Sequence, residues 1–206
     1  MKQRSSSFAF CALFLGLITI FIAAGCSSES RKSDSATVQS SSNKQTKPLE
    51  RLDPYSAPLY PAQRKAKARD FTVNTVAGNT FTLSDYEGKV VVLNIWATWC
   101  APCREETPEF VDLYSKYRDD GLVILGVSID KQGESVVKPF MDQYKVNYPV
   151  VVDRGTIMDK YGPTMSIPTT YIIGRIGHLK YFAVGALTQK ELEPRLKELL
   201  AKDAAT

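Results

Sequence analysis

Two cysteines, Cys100 and Cys103, are separated by two residues in the stretch Trp-Ala-Thr-Trp-Cys-Ala-Pro-Cys. Such a pair could staple a turn, supply half of a metal site or act as a redox centre. A disulfide that closes so short a loop removes little entropy from the unfolded chain, so it stabilises the fold only weakly. Zinc takes about four ligands, and because His178 is the only histidine, a Cys/His site within one chain is short of them. The spacing therefore favours thiol-disulfide exchange.

The flanking residues predict the elements that position this pair. Residues 90–96, Val-Val-Val-Leu-Asn-Ile-Trp, form an apolar, β-branched run typical of a strand buried on both faces. After the cysteines, apolar residues recur at helical spacing as far as Tyr117 and stop near Gly121, so a helix should begin at the pair. A cysteine at a helix N-terminus ionises easily, because the free N–H groups and the helix dipole favour negative charge.

This placement assigns different roles to the two thiols. We expect Cys100, exposed at the helix start, to attack the disulfide of a partner as a thiolate. Cys103, one turn further along, is close enough to displace the partner from the mixed disulfide. Pro102 between them is compatible with a first helical turn. Such a centre works with its own disulfide alone, so we expect no cofactor and no metal.

The rest of the folded region alternates strands with helices. Residues 70–89 contain two short strand-like stretches around Ala77-Gly78-Asn79, a turn signal suited to a hairpin. The later predicted elements are strands over 122–130, 148–153, 169–174 and 178–185, and helices over 134–144, 156–161 and 188–202. This order predicts an α/β fold whose sheet has a parallel core and a terminal antiparallel hairpin.

Composition and charge limit the domain count and the partners. The 206 residues are 44% hydrophobic, enough for one buried core but not comfortably for two. Lys and Arg number 26 against 22 Asp and Glu, an excess too small to indicate nucleic-acid binding. We therefore expect one globular domain, over residues 65–206, without a nucleic-acid partner.

The N-terminal segment is predicted to export the protein and to tether it. Two basic residues precede an apolar run over residues 8–24, which is typical of a secretory signal covering residues 1–25. The sequence Ala-Ala-Gly-Cys at its end resembles a bacterial lipobox, which implies that Cys26 becomes an acylated N-terminus. The alternative is a signal-anchor helix in which Cys26 is an ordinary apolar residue. Serine-rich residues 26–64 then read as a disordered linker.

Three motifs resemble the thioredoxin superfamily, and in particular its membrane-tethered TlpA/ResA-type thiol-disulfide oxidoreductases. They are the stretch around the cysteines over 88–110, Gly-Val-Ser-Ile-Asp over 126–130, and Ser-Ile-Pro-Thr-Thr-Tyr-Ile-Ile-Gly over 166–174. The resemblance covers about residues 70–201. It implies a thioredoxin-like fold: a central mixed β-sheet flanked by helices, with an N-terminal β-hairpin and a central αβ insertion over 131–151.

The resemblance also implies further site residues. Ile167 and Pro168 would form a cis peptide bond that faces the cysteines and pairs with the extended chain of a substrate. Thioredoxins carry a buried Asp where this chain has Asn94, whereas TlpA/ResA-type proteins carry a glutamate where it has Glu106. Glu106 is therefore expected to accept the proton of Cys103. Trp99 and Pro102, beside the cysteines, are expected to contact substrate.

The predicted function is that of an extracytoplasmic, membrane-tethered thiol-disulfide oxidoreductase, located in the periplasm or at the cell surface. We expect it to reduce disulfides of exported proteins, with apocytochrome c as a target that the family implies, and to be kept reduced by a membrane electron donor with thiols. One alternative reverses the direction and gives an oxidase or isomerase of exported proteins.

Two further alternatives keep other chemistries open. A thiol peroxidase shares the fold, but its Pro-x-x-x-Thr-x-x-Cys pattern is missing, because Thr98 is one position too close to Cys100 and Leu93 replaces the proline. A copper-binding module would require a further histidine near the cysteines. A peroxide-consumption assay and metal analysis of the reduced protein separate these functions from the leading one.

Overall fold

The computed structural model describes residues 57–62, 66–164 and 166–202. The predicted signal over 1–25, Cys26 and most of the predicted linker lie outside the described residues. The strands are β1 Tyr60–Pro61, β2 Thr72–Asn74, β3 Thr80–Thr82, β4 Val90–Trp96, β5 Leu122–Ser128, β6 Val150–Val152, β7 Thr169–Ile173 and β8 Leu179–Val184. The helices are α1 Ala101–Tyr117, α2 Glu134–Tyr144, α3 Met158–Tyr161 and α4 Gln189–Lys202. Within these ranges no helix combines the length and the apolar character needed to cross a bilayer.

A six-stranded mixed sheet forms the centre of the domain, in the order β1-β8-β7-β4-β5-β6. Strands β4, β5 and β6 run parallel, whereas β7, β8 and β1 continue the sheet through antiparallel pairs. Strands β2 and β3 form a separate hairpin. The predicted fold class is confirmed: a mixed sheet flanked by helices, an N-terminal hairpin and an inserted αβ unit made of α2 and β6.

Strands β4 and β5 are interior strands of the sheet, and every one of their residues is buried. Successive side chains of β4 alternate between two cores. Val90 and Val92 pack in the core that includes α1, α2 and α4, whereas Val91 and Leu93 pack in the core beneath the hairpin. The pairing of Trp96 with Ser128 brings the carboxyl ends of the two strands side by side, and the cysteines follow directly at this edge.

Strand β1 differs from the sequence-based interpretation, because it lies inside the stretch predicted as linker. Tyr60 and Pro61 pair with Phe182 and Tyr181 of β8, and the Ala57 N–H donates to the Ala186 carbonyl at 2.7 Å. Pairing with a sheet edge uses backbone groups and needs no hydrophobic periodicity, and a proline is tolerated at an edge. Residues 57–62 therefore belong to the folded domain.

Candidate active site

The two cysteines form a disulfide at the N-terminus of α1, with their Cα atoms 5.3 Å apart. Cys100 is the N-cap residue, and its Sγ accepts a hydrogen bond from the Cys103 N–H at 3.3 Å. The helix begins at Ala101, and Pro102 occupies its first turn, where a missing N–H costs nothing. The strand and helix predicted on either side of the pair are both present. A thiolate on Cys100 would face free N–H groups and the positive end of the helix dipole.

Both sulfur-bearing residues are largely covered in this oxidised form. Cys100 is 6% exposed and Cys103 is 1% exposed. The order agrees with the expected roles, but Cys100 is less accessible than its position at the helix start suggests. The reason is the segment that precedes β7, because the Cys100 Sγ lies 3.7 Å from the Ile167 carbonyl oxygen.

The segment that covers Cys100 contains the Ile167–Pro168 peptide bond, which is cis. Pro168 is buried and Ile167 is half-buried. Strand β7 starts at Thr169, directly after this bond, and Thr169 pairs with Ile95 near the end of β4. The sheet thus brings this bond beside the cysteines. Its pairing with substrate stays a prediction.

The side chain of Glu106 is buried at the centre of the site, with 2% exposure. Its carboxylate accepts two hydrogen bonds, from Asn94 Nδ2 at 2.8 Å and from the Leu187 N–H at 3.0 Å. Asn94 Nδ2 also donates to Thr170 Oγ1 at 3.0 Å. Three elements and a loop therefore meet here, since Asn94 lies on β4, Thr170 on β7, Glu106 on α1 and Leu187 after β8.

Burial decides the charge state of Glu106. Loss of solvent raises its pKa from 4.5 to about 8, even though the hydrogen bonds from Leu187 and Asn94 act in the opposite direction. A carboxyl group with such a pKa exchanges protons near neutral pH. Cys103 precedes it by one helical turn on the same buried face of α1. This arrangement suits proton transfer between the Cys103 thiol and the Glu106 carboxylate.

The surface around the cysteines is formed by other predicted residues. Trp99 is 62% exposed, and Pro102 in the first turn of α1 is exposed as well. Trp96, by contrast, belongs to the core, where its ring lies 4.6 Å from that of Phe140. Trp99 is thus available to a partner, and contact of Trp99 and Pro102 with substrate stays a prediction.

Sequence reasoning missed the residues that support this site. The sequence marks Asn94 only as a departure from the buried Asp of thioredoxins, yet its amide donates to Glu106. The Leu187 N–H is a backbone group, which no side-chain pattern indicates. Asp130 belongs to a motif that indicates the family but no role for this residue, and its buried carboxylate accepts hydrogen bonds from Thr98 in the loop before Cys100. In the described ranges, no group of three or more His, Cys, Asp or Glu residues could hold a metal ion.

Comparison with known proteins agrees with this fold. A profile of the AhpC/TSA family matches residues 65–182. Thioredoxin-like protein YneN of Bacillus subtilis is 37% identical over 143 residues, which are 69% of this chain and 84% of that protein. Thiol-disulfide oxidoreductase ResA of Oceanobacillus iheyensis is 44% identical over 124 residues, which are 59% of this chain and 62% of that protein.

A solved structure also resembles this chain in fold. A thiol:disulfide interchange protein of the thioredoxin family from Chlorobium tepidum matches with a TM-score of 0.63 at 27% identity, covering 68% of this chain and 99% of that one. The chain belongs to the AhpC/TSA family, among its thioredoxin-like thiol-disulfide oxidoreductases. The resemblance predicted from the three motifs is confirmed.

Proposed function

We propose that this oxidoreductase is an extracytoplasmic, membrane-tethered reductant of disulfides in exported proteins. The observation that carries the proposal is the Cys100–Cys103 disulfide at the start of α1, with the buried carboxyl group of Glu106 one turn beyond Cys103. This arrangement supplies a nucleophile, a resolving thiol and a proton acceptor.

The proposed reaction has two exchange steps. In the first, the Cys100 thiolate attacks one sulfur of the substrate disulfide, which breaks the substrate S–S bond, forms a mixed disulfide and releases one substrate thiolate. In the second, the Cys103 thiolate attacks the Cys100 Sγ, forms the Cys100–Cys103 disulfide and releases the second substrate thiolate. Two electrons pass to the substrate, whose two thiolates are then protonated.

The second step needs the proton of Cys103 to leave. Cys103 is almost fully buried, and burial disfavours its thiolate. Ionised Glu106 accepts this proton as Cys103 attacks, and the neutral acid that results suits its buried position, where the pKa is raised. Asn94 cannot take up the proton, but its amide holds the carboxylate in place.

The burial of Cys103 supports the proposed direction of electron flow. An oxidant of the DsbA kind has a strongly stabilised reduced form with a low thiol pKa. Here Cys103 is 1% exposed and the carboxyl group of Glu106 lies one helical turn beyond it, and both features disfavour a thiolate on Cys103. The reduced form is therefore less stabilised, which favours a low potential and hence a reductant.

Sequence features support the location and the partners that we propose. Residues 1–25 have the layout of a secretory signal, and acylation of Cys26 would anchor the protein to a membrane. A thiol protein of the membrane would supply electrons to Cys100 and Cys103. Exposed Trp99 and the Ile167–Pro168 segment would contact the substrate chain, with apocytochrome c as one candidate substrate.

The reduction potential tests the proposal directly. Equilibration with glutathione or dithiothreitol buffers should give a value near that of thioredoxin, about −270 mV, whereas a value near −120 mV, as in DsbA, would favour an oxidase. The same preparation should reduce insulin disulfides. Consumption of hydrogen peroxide at a comparable rate would instead favour the peroxidase alternative.

A further inference from the structure

The loop between β4 and α1 is held by a buried carboxylate that the exchange reaction does not use. Asp130 is 1% exposed and lies two residues beyond the end of β5. Its Oδ1 accepts from Thr98 Oγ1 at 2.7 Å, and its Oδ2 accepts from the Thr98 N–H at 3.0 Å and from Ser128 Oγ at 2.8 Å. Two of its three donors therefore belong to Thr98.

The third polar group of Thr98 is held as well. Its carbonyl oxygen accepts a hydrogen bond from Arg104 Nη1 at 3.2 Å, and Arg104 lies in the first turns of α1. The N–H, hydroxyl and carbonyl groups of one loop residue are thus fixed by the end of β5 and by α1. The next residue is Trp99, whose side chain is 62% exposed, followed by the nucleophile Cys100.

A buried carboxylate is costly unless hydrogen bonds compensate for its lost solvation. Two of the three hydrogen bonds that the Asp130 carboxylate accepts come from Thr98, the residue before Trp99. Among the hydrogen bonds of the described residues, none joins Asp130 to either cysteine. We propose that Asp130 is a positioning residue that fixes Thr98, and thereby presents Trp99 to the surface of a protein substrate. It then determines recognition of protein disulfides and not the intrinsic reactivity of the cysteine pair. This inference rests on the proposed function.

Steady-state kinetics of the full chain test this role with two substrates, insulin and the small disulfide oxidised glutathione. Asp130→Ala should raise KM for insulin by about tenfold and change kcat by less than about twofold. Its rate with oxidised glutathione and the alkylation rate of reduced Cys100 should stay within about twofold of wild type. Asp130→Asn should restore KM, because an amide can accept from the Thr98 N–H and donate to the Thr98 hydroxyl.

Two further variants distinguish a positioning role of Asp130 from a general loosening of the loop before Cys100. Ser128→Ala removes the third donor to Asp130 and leaves both bonds to Thr98, so KM for insulin should be unchanged. Thr98→Val removes one of those bonds and should raise KM by about threefold, which keeps the proposal testable if Asp130→Ala does not fold.

Several outcomes would overturn the inference. One is an unchanged KM for insulin in Asp130→Ala, or in Thr98→Val if Asp130→Ala does not fold. Another is an equal loss of rate in Asp130→Ala with insulin and with oxidised glutathione. The third is a KM for insulin in Ser128→Ala that rises as much as in Asp130→Ala. Failure of the wild-type protein to reduce insulin at all would instead overturn the proposed function, and this inference with it.

Discussion

At the scale of single residues, the chemistry depends on a competition at Glu106. Two hydrogen bonds favour its ionised form, but loss of solvent outweighs them and raises its pKa to about 8. The role of Glu106 as a site residue could be predicted only from the resemblance to TlpA/ResA-type proteins, which carry a glutamate at this position. The donors could not, because Asn94 and Leu187 come from distant parts of the chain and meet only in the folded sheet.

The amide of Asn94 should lower the pKa of Glu106. Asn94→Leu keeps a similar volume but removes this donor, so the pKa should rise further above about 8. Titration of the Glu106 carboxyl by NMR in the oxidised protein measures the change. Thr170→Val, which removes only the second partner of Asn94, should give a smaller shift. A lower pKa in Asn94→Leu would contradict the account.

Replacement of each cysteine should block a different step of the exchange reaction. Cys100→Ser should reduce insulin turnover by more than about a hundredfold, because the attacking thiolate is lost. Cys103→Ser should still attack and should accumulate mixed disulfides, because the resolving thiol is lost. Mass spectrometry of the trapped species measures this and identifies the partner. Faster alkylation of Cys103 than of Cys100 in the reduced protein would reverse the assignment.

At the scale of elements, local patterns predicted most of the fold. Continuous apolar runs predicted β4 and β5, and the helical spacing of apolar residues after the cysteines predicted α1. Both predictions were possible because each pattern lies within residues that are neighbours in the sequence. Strand β1 carries no such signal, since its two residues are exposed and pair through backbone groups. The residues just before β1 matter to the site. Ala57 bonds to Ala186, and the next residue, Leu187, donates to Glu106.

The contact between Ala57 and the end of β8 should therefore support Glu106. Ala57 is buried against Gly185, so Ala57→Leu should lower the free energy of unfolding by about 1–3 kcal/mol through overpacking. It should also raise the pKa of Glu106 as the Leu187 donor shifts. Ala62→Leu, at the half-buried other end of the segment, should do neither. Chemical denaturation and carboxyl titration measure both effects, and an unchanged Glu106 pKa in Ala57→Leu would show that the contact of Ala57 does not support the site.

At the scale of the whole molecule, Glu106 links the stability of the oxidised protein to pH. Its pKa is about 8 in the folded state and near 4.5 in the unfolded chain. Between these values the folded protein keeps a proton that the unfolded chain has lost, so stability falls as pH rises through this window. The contribution is fully present below pH 4.5 and is lost above pH 8.

Glu106→Gln should remove this dependence. The free energy of unfolding of the oxidised variant is measured in denaturant at about pH 5 and at about pH 8. The decrease in this free energy from the lower pH to the higher should be smaller in the variant than in wild type by more than about 1 kcal/mol. Glu105→Gln is the matched control, because Glu105 is the exposed neighbour on the same helix. The same pH dependence in wild type and Glu106→Gln would contradict the raised pKa.

The central claim is that Glu106 accepts the proton of Cys103 when the mixed disulfide is resolved, and rapid-mixing kinetics test it most directly. Reduced wild type, Glu106→Gln and Glu105→Gln are mixed with a disulfide substrate across about pH 5 to about pH 9. Glu106→Gln should resolve the mixed disulfide at least about tenfold more slowly and accumulate it, while Glu105→Gln follows wild type. Identical rate profiles for Glu106→Gln and wild type, without accumulation of the mixed disulfide, would contradict the claim.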